Sequence, residues 1–301
     1  TANDENLDFT ESIENIGAVS DLVNLMMESY SNGDTGDTGD VLKGVVAPTE
    51  EVLLVLVTID AFEKLYCLYD DSMKEALEIY RNLARSLLKK AGGYLVKMRN
   101  DAILVAFDSS SLDSMKWCLA LQLTMLQAPW PQVLLDHSLC KEVYDSSNSL
   151  IYRGPRIKMA VHSGWPMAIN FGENVDYIGA LVHRLVGIAA AAKGGQILVS
   201  RRVHSYLVND LNVDELDGAE LIEIGEYDLE GLEAGDFLYQ LTPAELTARS
   251  FSSEKVQHFS PSLTKMLQEN FSLVELVANS SNVVSSEMYH AAISPVIGTE
   301  V

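Results

Sequence analysis

Apolar positions along this chain follow three different spacings. Residues 52–58 are continuously apolar and largely β-branched, which predicts a strand buried on both faces. Met73, Ala76, Leu77, Tyr80, Leu83, Ala84, Leu87 and Leu88 then recur at helical spacing and predict a long amphipathic helix. Ser72, with Glu75 three residues on, reads as a capping box at its start. Lys89 and Lys90 fall in the last turn, and Gly92 stops the helix. Two short β-prone runs follow, 94–98 and 103–107. Arg99-Asn100-Asp101 between them predicts a hairpin with a tight turn. A second helix over 112–127 ends at Pro129 and Pro131.

Residues 130–155 read as irregular, with a short hairpin around Ser146-Ser147-Asn148. Residues 156–163 alternate as a strand, with 166–171 as its partner. A third helix over 179–193 is closed by Gly194-Gly195. It is apolar nearly all round, so Leu181, Leu185 and Ile188 are expected to exceed what one small core can cover. Residues 196–200 read as a strand, 201–208 as a short helix, and 221–232 and 237–241 as closing strands. The order β-α-β-β-α-β-β-α-β predicts an α+β fold, a mixed sheet covered by helices around a ferredoxin-like centre.

Three regions emerge. Residues 1–48 form an acidic arm whose centre, Gly-Asp-Thr-Gly-Asp-Thr-Gly-Asp over 33–40, reads as a flexible linker. A Ca²⁺ loop would need a different Asp spacing and a closing Glu. Within the arm, 19–30 fits a short amphipathic helix for a partner groove, through Leu22, Val23, Leu25, Met26 and Met27. Residues 49–243 are the folded domain. In the tail, 244–301, residues 263–276 fit a helix and the rest is Ser-rich, suited to docking or to remaining mobile.

Composition narrows the function classes. The 301 residues carry a formal net charge of −22, which disfavours nucleic acid and anionic membrane and favours a basic or mixed-charge partner. No stretch approaches the roughly 18 apolar residues of a membrane span. Three cysteines without close pairing (Cys67, Cys118 and Cys140) fit reduced thiols in an intracellular, soluble protein, with Cys67 and Cys118 expected to be buried. The chain opens at Thr1 rather than Met, which fits a processed product or a fragment and leaves cytoplasmic and organellar locations open. No Ser-His-Asp, zinc or P-loop pattern is present.

The stretch 92–108, Gly-Gly-Tyr-Leu-Val-Lys-Met-Arg-Asn-Asp-Ala-Ile-Leu-Val-Ala-Phe-Asp, carries the sharpest signal. With the Trp117-Cys118-Leu119 helix ending at Trp130-Pro131, it resembles the catalytic domain of class III nucleotidyl cyclases, above all the adenylyl cyclases of fungi and trypanosomatids. The resemblance covers about 52–241, and 130–155 corresponds to an insertion found in those enzymes. It implies a fold in which two cyclase-type domains share composite sites. There, two aspartates hold Mg²⁺ ions while a Lys, an Asp, an Asn, an Arg and a further Lys hold ATP and its transition state.

Carried over residue by residue, the pattern is incomplete. Asp101 matches one metal aspartate. Thr58 stands at the other, and Asp60, two residues on, is the alternative ligand. Lys97 and Asp176 match the adenine-selecting pair, although Asp176 also reads as a helix N-cap. His183 replaces the Asn, Gly187 the Arg and Glu230 the phosphate-binding Lys. His183 otherwise reads as an ordinary polar core or interface residue. Lys158 stands where the family often has an Arg, and reads equally as a structural cation. Removing one transition-state donor costs about 10²–10³ in rate. The resemblance therefore implies a catalytically impaired domain acting as a partner or assembly subunit. Half of a heterodimeric adenylyl cyclase, and an ATP-binding regulatory pseudo-site, are the alternatives.

Overall fold

The structure is a computed structural model describing residues 45–110, 112–171, 174–209, 213–227 and 236–251. Glu230, the arm before residue 45 and the tail beyond 251 lie outside the described residues, as do the helices expected over 19–30 and 263–276.

In chain order the elements are β1 (Val52–Ile59), α1 (Phe62–Leu68), α2 (Asp70–Lys90), β2 (Tyr94–Arg99), β3 (Ala102–Asp108), α3 (Asp113–Gln127) and the one-turn α4 (Gln132–Leu135). Next come β4 (Val143–Tyr144), β5 (Leu150–Tyr152), β6 (Ile157–Gly164), β7 (Met167–Phe171), β8 (Asn174–Ile178) and α5 (Ala180–Ala191). The last are β9 (Ile197–Ser200), α6 (Arg201–Asn209), β10 (Glu220–Tyr227) and β11 (Asp236–Thr242). Seven strands make one mixed sheet in the order β10-β11-β9-β6-β1-β3-β2. Only the β6–β9 pairing is parallel. The expected α+β fold is the one formed.

Strand β1 is buried throughout because the sheet is covered on both faces. Leu53, Val55 and Val57 face α2 and α3, among Tyr80, Leu87, Trp117 and Leu121. Leu54 and Leu56 face the other way, onto Leu185 and Ile188 of α5 and Tyr177 of β8. Each such side chain withdrawn from water contributes about 1.5–3 kcal/mol. Helix α2 ends as its sequence directs: Gly92 takes φ +65 and Gly93 N–H donates to Leu88 O at 3.2 Å.

Several expectations are corrected. Helix α2 begins at Asp70, with Tyr69 at the N-cap and no side-chain cap, so Ser72 and Glu75 lie inside the helix rather than at its start. The unexpected α1 delivers the chain there, and Met73 N–H already donates to Tyr69 O. Strand β7 does not pair with β6. It turns away after Gly164-Trp165-Pro166 and forms a separate ribbon with β8, leaving β6 between β1 and β9. The short hairpin expected around Ser146-Ser147-Asn148, by contrast, is formed by β4 and β5, and Trp130 before it is buried and donates its indole N–H to Met125 O. Leu181, Leu185 and Ile188 are all buried on this one domain, so α5 leaves no apolar stripe uncovered. Cys67 is exposed, while Cys118 and Cys140 are buried; all three are free thiols. Within the described residues no helix is long and apolar enough to cross a membrane.

The chain continues onto the domain past residue 243. A short turn at Ala244–Leu246 leads to Arg249, whose buried guanidinium donates to Ile151 O, Gln122 Oε1 and Gly195 O.

Candidate functional site

The β2–β3 hairpin places the first group. Its turn lies at Asn100-Asp101, and Asn100 adopts φ +46, a left-handed conformation that Asn tolerates. The turn brings Asp101 to the end of β1, where its Oδ2 accepts the Ile59 N–H at 3.2 Å. Burial pushes the Asp101 carboxyl up to about 6. The N–H groups of Asp101 and Ile59 and the Lys158 ammonium pull it down, and Glu63 of α1 opposes them.

Strand pairing places the second group. Thr58 pairs with Lys158 of β6 in antiparallel register, so both project from the α5 side of the sheet. Thr58 is buried at 3% exposure, and its Oγ1 has no hydrogen-bond partner among the described residues. Lys158 is half-buried.

The third group depends on a bulge. Leu95 pairs with Val105, but Lys97 pairs with Leu104, so Val96 is the extra residue. Strict alternation would turn Lys97 toward α2. The bulge returns it to the α5 side, where its Nζ meets Asp176 Oδ2 at 2.6 Å. The pair is largely buried, with side chains 13% and 8% exposed. Asp176 Oδ1 accepts the N–H of Tyr177, and the Tyr94 hydroxyl accepts the Val175 N–H, fixing β8 over the hairpin. Asp176 is a strand residue, not a cap: Gly179 holds the N-cap position of α5, without a side-chain cap.

The remaining candidates lie elsewhere. Asp60 bonds through its N–H to Arg156 O, on the β6 flank of β1. A Cβ placed on Gly194 would fall 2.8 Å from the Asp60 carboxylate, so that carboxylate lies against the turn before β9, on the opposite flank from Asp101. His183 is exposed on α5, and Gly187 lies in the same helix, half-buried. No three His, Cys, Asp or Glu side chains gather to hold a metal ion among the described residues. The charged groups that act on the Asp101 carboxylate are the Lys158 ammonium and the Glu63 carboxylate of α1.

Sequence reasoning missed a buried pair, His162 and Ser200, with Nδ1 and Oγ 2.8 Å apart. Burial, assisted by the Arg184 and Arg202 charges, drives the imidazole down to about 3, so it is neutral. The alternation of β6 and β9 could have located both on the α5 side. The distant register that joins them could not be read.

This architecture can be set beside known proteins. No protein-family model matches the chain. An adenylate cyclase of Podospora anserina is 32% identical over 233 residues, 68% of this chain and 11% of that protein. Another from Mycosarcoma maydis is 32% identical over 249 residues, covering 68% and 10%. This chain belongs to the class III adenylyl/guanylyl cyclase family. It spans about a tenth of the length of those two relatives. An adenylate cyclase structure from Trypanosoma brucei, described in its monomeric state, shares the fold. Its TM-score is 0.60 at 20% identity, over 72% of this chain and 98% of that one. In this cyclase-type domain, then, the Lys97–Asp176 pair, Thr58 and Lys158 lie on the α5 side of the sheet, with the Asp101 turn at the end of β1.

Proposed function

We propose that this domain is a non-catalytic member of a cyclase-type assembly, pairing with a second cyclase-type domain or a larger complex. The observation that carries this reading is Thr58 at the end of β1. A neutral hydroxyl, with Lys158 across the strand pair, stands where the resemblance puts one of the two carboxylates of a two-ion reaction. His183, Gly187 and Glu230 add to it, because the family pattern has an Asn, an Arg and a Lys at those positions. In a homodimer every composite site would inherit these defects. With an intact partner, one site would lack a metal ligand and the other the donors for the transition state. Magnesium would take Asp101 as a carboxylate ligand from this chain.

A second reading keeps nucleotide binding. It is favoured by the Lys97–Asp176 pair, joined at 2.6 Å and matching in residue type the family's adenine-selecting Lys and Asp. On that reading the domain is an ATP-binding regulatory pseudo-site, or one half of an adenylyl cyclase making cyclic AMP and pyrophosphate.

The test is restoration. Thr58→Asp, His183→Asn, Gly187→Arg and Glu230→Lys together rebuild the family pattern on Lys97, Asp101 and Asp176. The folded variant should gain Mg²⁺-dependent ATP binding by calorimetry. A folded variant that ignores Mg²⁺ and ATP would show that the correspondence is misplaced.

A further inference from the structure

Beside α3, at the start of β6, the chain gathers positive charge that it does not balance. Arg249 is 8% exposed. Its guanidinium stacks on the Tyr152 ring, 4.5 Å from the centroid, and donates to Gln122 Oε1 and to the carbonyls of Ile151 and Gly195. All three acceptors are neutral. Arg156 stacks on the same ring at 4.1 Å, and its buried Nε has no hydrogen-bond partner. Among the described residues neither arginine makes an ion pair, although the chain carries a net charge of −22 and the neighbouring Arg153 pairs with Glu142.

Two guanidinium groups on one ring act against each other. Burial depresses Arg249 to about 10, and the Arg156 charge pushes in the same direction, yet the group stays charged at neutral pH. The Asp60 carboxylate comes near without closing the gap. It and the Arg156 Cβ stand 2.8 and 2.9 Å from where a Cβ on Gly194 would lie, but the two side chains form no ion pair. A cavity of about 10 Å³ lies here, with Gln122, Tyr152, Arg153, Arg156, Gly195 and Arg249 in its wall. It has room for about one water-sized occupant. A water would answer the Arg156 Nε and leave both charges unbalanced, and an unpaired buried charge is costly. A group of several heavy atoms exceeds the space.

We propose that this cavity binds a single small monovalent anion, chloride in practice, held by the guanidinium groups of Arg156 and Arg249. Arg153 is already committed to Glu142 and to the Leu126 and Ala128 carbonyls. The site joins segments far apart in sequence: Tyr152 of β5, Arg156 ahead of β6, and Arg249 beyond β11. Its occupant therefore tightens the attachment of the chain past residue 243, where the Arg249 N–H donates to Leu246 O. The inference depends neither on nucleotide binding nor on whether turnover is lost.

The experiment replaces sodium gluconate by sodium chloride at constant ionic strength and follows the full chain. The ³⁵Cl resonance should broaden in its presence. Bromide should displace the chloride and sharpen the line, while sulfate, too large for the cavity, should not. Chloride should also raise the thermal unfolding midpoint saturably, by about 2–4 °C, the shift expected in a domain of this size at a few times Kd. Exchange of the Arg249 amide hydrogen should slow in parallel. Arg156→Gln should abolish the line broadening and the saturable shift. A merely structural Arg156 would instead lower the midpoint by the same amount in both salts and leave the chloride response intact. The inference is overturned if the parent chain does not broaden the ³⁵Cl line, if sulfate displaces chloride as well as bromide does, or if the midpoint drifts linearly with chloride and equally in parent and variant.

Discussion

Asp101→Asn isolates the electrostatic character of the hairpin turn. Asparagine keeps an oxygen for the Ile59 N–H, so the loss is chiefly the charge. Burial raises the carboxyl from 3.8 to about 6 in the fold. The folded state therefore holds the proton more tightly than the unfolded chain does. Its stability contribution is full below about pH 4 and is lost as pH rises toward and through about 6. At about 1.36 kcal/mol per pH unit the gap corresponds to about 3 kcal/mol. Asp101 retains some solvent contact, and screening reduces the expectation to about 1–2 kcal/mol. Urea denaturation between pH 4 and pH 7.5 should show the variant matching the parent at the acid end and exceeding it by that amount at neutral pH. Parallel curves for the two proteins across this window would refute the reasoning.

Two further perturbations probe the neighbouring groups. Lys97→Met should leave Asp176 charged and unpaired at 8% exposure, costing about 3–5 kcal/mol by chemical denaturation, and Lys97→Met with Asp176→Leu should recover most of that. His162 has the opposite sign to Asp101. Its imidazole is depressed from 6.5 to about 3, so its contribution is full above pH 6.5 and is lost as pH falls toward 3. The stability deficit of His162→Gln against the parent should therefore shrink on acidification below pH 6.5; a deficit constant with pH would contradict a neutral buried imidazole.

What was legible in the sequence was mostly local. The hairpin could be read because Asn100 tolerates a left-handed turn between two β-prone runs. Strand β1 could be read because burial on both faces leaves no polar alternation. The start of α2 was misjudged because a capping box two residues inside a helix has the same letters as one at its end. The partner of β6 was misjudged because adjacent alternating runs look like a hairpin, while the pairings actually made, with β1 and β9, join distant segments. The same limit governs the site. Resemblance singled out Lys97, Asp176, Asp101 and Thr58. The Val96 bulge that turns Lys97 toward Asp176, the flank to which Asp60 points, and the placement of Lys158 opposite Thr58 are consequences of register. Register is fixed by packing across the whole sheet rather than by local letters.

Turnover tests the non-catalytic reading most directly. The full chain should be incubated with ATP and Mg²⁺ or Mn²⁺, and cyclic AMP measured beside an Asp101→Ala control. The reading predicts no cyclic AMP above that control. Sustained, metal-dependent cyclic AMP formation that Asp101→Ala abolishes would contradict it.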